Sequence, residues 1–324
     1  MKEVEVETFI NKLSKGISAP SLVLCDDGNR YILKKEDEKH SFDSTFINEV
    51  ISYKLAKYIG VPVCDCAVAK IDKELVDMDR DIVFVHKFKE GMYFASQEQP
   101  NLVNNIMENA KELKKMNKPY IERTWNDFFR NVSNKKDFSK LIAFDILICN
   151  FDRFNHLDNF LVSKNDTSNK FIAIDHGHAF WGPTWNDFKI KNLDGYERIN
   201  NFLEQIMNTY IQIAKGNTNL GVIFKAIETN ITLKDLNNHD FIDVIASIES
   251  INEVIIEEIF EDIPEEWFKD KEVQIAYYKS FILNHKNNVK LIIQYLADNN
   301  YFTNFRGGLL KWKQEDVQKD ITQS

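Results

Sequence analysis

The chain has 324 residues, of which 44% are hydrophobic and 28% charged, with few Gly or Pro; this is a globular balance long enough for two modest units with real cores, and it sets extended disorder aside. A net charge of −9 argues against broad attraction to phosphate backbones, so nucleic acid is not an expected partner. The amino terminus lacks the apolar core of a signal peptide and no apolar run approaches the roughly 20 residues of a membrane span, so a cytoplasmic protein without a membrane partner is expected.

Up to about Gly91 the pattern is that of strands: VEVETFI, PSLVLCDD, RYILKK, CDCAVAKID and DIVFVHKF, with Asp27-Gly28 as a hairpin turn between the second and third. One helix interrupts them, from near Ser44 through FINEVISYKLAKYI to a glycine stop at Gly60. From Asn101 onward helical periodicities take over: NLVNNIMENAKELKKM, DFSKLIAFDILIC, INNFLEQIMNTYIQIA, DFIDVIASIESINEVIIEEIF and VQIAYYKSFILNHKNNVKLIIQYLADNN. Among them lies one strand pair, FLVSK and KFIAID, joined by the turn-rich Asn165 to Asn169, and the last dozen residues form a polar tail. The four cysteines, Cys25, Cys64, Cys66 and Cys149, are too few for a disulfide scaffold and lack a second pair at metal-ligand spacing, so they are read as reduced structural thiols.

The stretch ILICNFDRFNHLDNFLVSK stands out, because an apolar run stops at Asn150 and a burst of polar residues follows before Phe160. If the following hairpin pairs Lys164 with Lys170, the constant index sum of an antiparallel ladder puts Asn159 across from Asp175. Opposite side chains share a face about 5 Å apart. An amide oxygen and a carboxylate there would share a hard cation such as magnesium, with water and phosphate oxygens completing the shell. Asp152, in the preceding loop, would then accept the proton of an attacking hydroxyl. Loop Asp, strand Asn and strand-end Asp make a minimal phosphoryl-transfer set.

DILICNFDRFNHLDNFLV followed by FIAIDHGHAF resembles the HipA-like kinases and, more remotely, the phosphatidylinositol kinases. The resemblance covers residues 10 to 185, and IPEEWF at 263 to 268 resembles a later segment of the same family. It implies an α+β, two-lobed protein-kinase-like fold: a small β-rich N-lobe with one helix at 1–91, a larger helical C-lobe at 92–311, and a polar tail at 312–324. In that frame Asn150-Phe-Asp152-Arg153 fits the catalytic loop and Asp175-His-Gly177 the metal-binding position, with Asn155 or Asn159 as the metal amide and the hairpin geometry favouring Asn159. GNRYILKK resembles the strand carrying the phosphate-binding lysine, here Lys34, and NEVISYKLAKYIGVPV the helix whose glutamate, here Glu49, orients it. The phosphate loop falls on Gly16-Ile-Ser18-Ala-Pro-Ser21, with Ser18 and Ser21 as nucleotide-binding residues.

Taken singly, these residues have plainer readings. Lys34 beside Lys35 fits a solvated strand face, Glu49 a helix surface charge, and Asn159 a strand start. Arg153 is read as bracing the catalytic loop, with phosphate contact as the alternative, and Asp145 as a support hydrogen-bonded within its apolar helix. The resemblance implies ATP and Mg2+ as cofactors and transfer of the γ-phosphoryl group to a Ser or Thr hydroxyl of a protein, the chain itself included. The alternatives are a catalytically silent nucleotide- or partner-binding module and a small-molecule or lipid-headgroup kinase.

Overall fold

A computed structural model describes residues 1–13, 19–36, 42–103, 129–155, 159–164, 168–195, 199–213 and 220–313. The architecture is α+β, with a strand-rich front and a helical rear. Five front strands, β1 (Lys2–Lys12), β2 (Ser21–Cys25), β3 (Arg30–Leu33), β4 (Cys66–Ile71) and β5 (Gly91–Gln97), close into a barrel in the order β1-β2-β3-β5-β4. Closure comes from the long first strand, which runs antiparallel to β2 and parallel to β4. It bends between them at irregularities after Val6 and Phe9. Alternation sends Val4 and Val6 inward to meet Val23, Cys25, Tyr31, Leu33 and Ile71. Ala67, Ala69 and Ala95 keep the small interior from overfilling.

The helix α1 (Thr45–Ile59) leaves the barrel and is buried nearly all round, so it packs on both the sheet and the rear helices. Gly60, at φ 80, ends it in the left-handed conformation. A short helix α2 (Lys73–Met78), capped by the Asp72 side chain, follows β4.

Two expectations fail in the front. DIVFVHKF is not a strand: Ile82–His86 forms one wide helical turn, stopped by Lys87 at φ 63, whose N–H returns to the Ile82 carbonyl. The missing strand is β5, which carries the barrel beyond the expected boundary at residue 91. Phe88 is accordingly a barrel-core residue, and the chain leaves the sheet after Gln97. Residues 98–103 form that link, and it is fastened to the rear hairpin by Val103 N–H to the Val162 carbonyl (2.9 Å) and Lys164 N–H to the Asn101 carbonyl (2.9 Å).

The rear comprises α3 (Phe138–Leu147), the hairpin β6 (Phe160–Lys164) and β7 (Asn169–Ala173), α4 (Asp187–Leu193), α5 (Ile199–Ile213), α6 (Val222–Glu228), α7 (Ile242–Glu249), α8 (Glu253–Phe260), α9 (Lys271–His285) and α10 (Val289–Asp298). The single helix expected over 240–260 is split, because Asn252 caps a new one by accepting from the Ile255 N–H (3.1 Å). The helix expected at 101–116 lies mostly outside the described residues, and so does most of the polar tail. One apolar core runs from α1 through α3 to α10, separate from the barrel interior. Three of the four cysteines are buried and Cys66 is half-buried, all as free thiols. Among the described residues no helix is long and apolar enough to cross a membrane.

Candidate active site

At the end of β3, the Lys34 N–H still pairs with the Phe94 carbonyl (3.0 Å), so the ladder fixes where the lysine side chain starts. Its ammonium donates to Glu49 Oε1 on α1 and to Asp175 Oδ1 beyond the rear hairpin (3.0 Å). One cation thus joins three separate elements. Burial alone would pull the Lys34 pKa down; the Asp175 and Glu49 carboxylates reverse that and hold it above the ordinary lysine value. Glu49 is 2% exposed, and burial pushes its pKa up, yet Lys34 and His176 bring it below the usual carboxylate range. Its Oε1 also accepts the backbone N–H groups of His176 (3.1 Å) and Gly177 (3.0 Å). A carboxylate given this many donors stays ionised and stationary.

The segment expected to form the catalytic loop leaves the end of α3. After Ile148 the backbone turns through Cys149 at φ 47, and Asn150 folds back, its N–H reaching the Asp145 carbonyl (2.9 Å). Arg153 is fully buried. Its Nε donates to Asp145 Oδ2 (2.5 Å), and one Nη donates both to the Asn159 carbonyl and to the Ile174 carbonyl (2.9 Å). Arg153 therefore clips the end of α3 to both sides of the hairpin, and its guanidinium is buried. Asp152 projects from the same loop, one oxygen receiving the Asn159 Nδ2 (2.9 Å).

The hairpin register differs from the expected one by a residue. Phe160 pairs with Ala173 and Lys164 with Asn169, so Asn159 lies across from Ile174, whose N–H reaches the Asn159 carbonyl (3.3 Å). Packing excludes the expected register: Phe160 and Val162 are buried on one strand, Phe171 and Ala173 on the other, and the observed pairing puts all four on one face where a one-residue slip would divide them. Asp175 reaches Lys34 because β7 has already ended and the backbone swings to φ 62 at that residue. Asn159 and Asp175 are not a ladder pair; Arg153 ties the Asn159 carbonyl to that of Ile174, the residue before Asp175, at the base of the hairpin.

Ser21 does not join this cluster. It is fully buried in β2, its hydroxyl 2.9 Å from His86 Nδ1. Ser18 and Gly16 lie outside the described residues, and so does the side chain of Asn155. Asn48 went unnoticed in the sequence. It neighbours Glu49 on α1, is completely buried, and donates to the carbonyls of Gly177 (2.7 Å), Ala179 (3.0 Å) and Gly182 (3.1 Å). Two adjacent polar residues in an otherwise apolar helical stretch were its only signal. The IPEEWF segment anchors α1 as well: Trp267 packs on Phe46 (5.0 Å between rings) and donates to the Met92 carbonyl (3.0 Å).

The donor chemistry suits a hard divalent cation with nucleotide phosphates. Among the described residues no three His, Cys, Asp or Glu side chains stand close enough to hold a metal by themselves. Asn159 and Asp175 would supply one amide and one carboxylate oxygen, which is the sparse protein shell magnesium accepts when water and phosphate oxygens complete it. Asp175 is half exposed, so its carboxylate is within reach of such a ligand from solvent.

A family model described as HipA-like kinase matches residues 6–192. No curated protein sequence matches the chain. Among solved structures, the crystal structure of a Helicobacter pylori proinflammatory kinase, CtkA, aligns over 92% of this chain and 95% of that one, with 14% identity and a TM-score of 0.48. A chain from the Shewanella oneidensis MR-1 toxin–antitoxin complex of HipA, HipB and operator DNA aligns over 81% of this chain and 60% of its own, with 13% identity and a TM-score of 0.40.

Proposed function

The chain belongs to the HipA-like kinase family, and on that premise we propose that it transfers the γ-phosphoryl group of ATP, with magnesium, to a Ser or Thr hydroxyl of a protein, itself included. In this reading the barrel with α1 is the N-lobe, the helical rear is the C-lobe, and the nucleotide lies beside the link at 98–103. The observation that carries it is the Lys34 ammonium set between Glu49 and Asp175, with Asp152 and Asn159 joined at the base of the same hairpin.

The residues then divide the work. Lys34 presents positive charge to phosphate oxygens, and Glu49, fixed by two backbone N–H groups, keeps that charge from wandering. Asp152 accepts the proton of the attacking hydroxyl, with Asn159 steadying its carboxylate. Asn159 and Asp175 would hold the cation, which when bound neutralises charge on the transferring phosphoryl group. Arg153 acts by keeping the loop and the hairpin in one geometry.

The test is incubation with labelled ATP and magnesium followed by mass spectrometry of the protein. Label on a Ser or Thr of the wild type, absent from Asp152→Ala and Asp175→Ala at unchanged melting temperature, supports the assignment. Wild-type turnover in either variant removes it. Label entering a metabolite of an added lysate, and not protein, transfers the reading to a small-molecule kinase.

A further inference from the structure

Asn48 and Glu49 are consecutive on a helix, so their side chains leave about 100° apart, yet both grip the same stretch of backbone. Glu49 takes the N–H groups of His176 and Gly177, while Asn48 gives to the carbonyls of Gly177, Ala179 and Gly182. That stretch has no ladder of its own. Phe180, Trp181 and Gly182 all have positive φ, at 54, 67 and 116°; within the stretch the Ala179 carbonyl takes the Gly182 N–H (3.2 Å), the Gly182 carbonyl also accepts from Lys189 Nζ (2.7 Å), and Asn48 is the donor that the Gly177, Ala179 and Gly182 carbonyls share.

Nor can the amide of Asn48 be turned round. Its Oδ1 accepts from Lys189 Nζ on α4 (3.0 Å) and from the Tyr278 hydroxyl on α9 (2.7 Å), two groups that donate, while its nitrogen faces carbonyls only. Gly177 completes the fit, since a Cβ there would stand 2.7 Å from the Thr45 methyl of α1. The helix and the turn are thus in direct contact, and the rear helices set the amide that joins them.

We propose that Asn48 is a positioning residue for phosphoryl transfer: by holding the 177–182 backbone against α1 it keeps Glu49 and Asp175 in the single arrangement in which both reach Lys34. The phosphotransfer part of this inference rests on the function proposed above. Its structural part does not: the α1–turn contact is made within the chain by buried groups.

Asn48→Asp is the discriminating variant, because it keeps an oxygen for Lys189 and Tyr278 and replaces the donating nitrogen with a carboxyl oxygen set against the three carbonyls. Two measurements on the full chain decide. In hydrogen exchange, amides of 176–182 should exchange faster in Asn48→Asp while those of α3 and the barrel strands keep wild-type rates. In turnover, kcat should fall on the order of 10²-fold, the size of a loss from misplacing reacting groups by about 1 Å. In a Glu49→Gln background the same substitution should cost severalfold less, because the two residues act through one turn.

Unchanged exchange at 176–182, or acceleration across the whole chain, would overturn the inference, as would kcat losses that simply multiply in the double variant. If Asn48→Asp does not fold, Tyr278→Phe decides, since it deletes one of the two donors fixing the amide; the same local pattern at smaller amplitude supports the role, and none refutes it. A wild type without turnover would refute the kinase reading, and the exchange measurement would still judge the contact.

Discussion

The barrel and the loop after α3 fix their candidate site residues by different means. Lys34 is placed by a ladder: β3 pairs on both sides, alternation chooses the face, and the side chain reaches outward from a regular strand. Asp152, Asn159 and Asp175 sit on backbone that repeats nothing, held by side chains that capture main-chain groups, with Cys149 and Asp175 in left-handed conformations. A ladder spreads its hold over many equal bonds. The loop concentrates it in Arg153, Asn48 and Glu49, so single substitutions should be far more damaging in the second region than in the first.

The sharpest way to break this contrast is Arg153→Met. It removes the ion pair of the fully buried Asp145 carboxylate, leaving it the Asn150 amide (3.3 Å), and takes a donor from the Asn159 and Ile174 carbonyls, so a loss of about 3–5 kcal/mol is expected in urea unfolding. A loss under about 1 kcal/mol would mean that the loop is held by its surroundings instead. Next comes Gly177→Ala, whose Cβ collides with Thr45; turnover should fall at least about tenfold with the barrel intact, as α1 is pushed from the turn.

The pH dependence of stability offers a subtler probe of the loop side. His285 on α9 is buried against the end of α3, 3.0 Å from the Ile146 carbonyl, and burial lowers its pKa from 6.5 to about 4. An unfolded chain takes up a proton below the higher value and the folded one only below the lower. The contribution of His285 is therefore present above 6.5 and is lost as the pH falls through 4, and His285→Gln should flatten that slope in unfolding measured across the window. Smallest of all, the helix caps Asp72 in the front and Asn186 in the rear should each cost about 1 kcal/mol on change to Ala. Equal losses there would show that ordinary local bonds weigh the same in both regions, leaving the difference to the loop contacts.

What the sequence made legible follows the same divide. Strands that alternate cleanly, such as VEVETFI, could be read at once, and so could α1 with its glycine stop. DIVFVHKF misled because three β-branched residues and a Phe read as a strand, while the true β5, GMYFASQ, is weakened by Gly, Ala and Ser and owes its pairing to neighbours on both sides. The candidate residues Lys34, Glu49, Asp152 and Asp175 could be picked out as types in order, but their geometry could not. In FIAI every position is apolar, so nothing local says which pair faces the core, and the register slipped by one. Asn48 was hidden for a related reason, since a buried amide is defined by partners more than a hundred residues away.

Cys25 lies inside the barrel and Cys149 behind the catalytic loop, both wholly out of water, with burial raising the first thiol to about 12 and the second well above its usual value. Neither forms thiolate while its surroundings stay closed, so an alkylating reagent reacts with each only through transient opening. The molecule thus contains two built-in labelling points whose reaction rates report, separately, how often each half breathes.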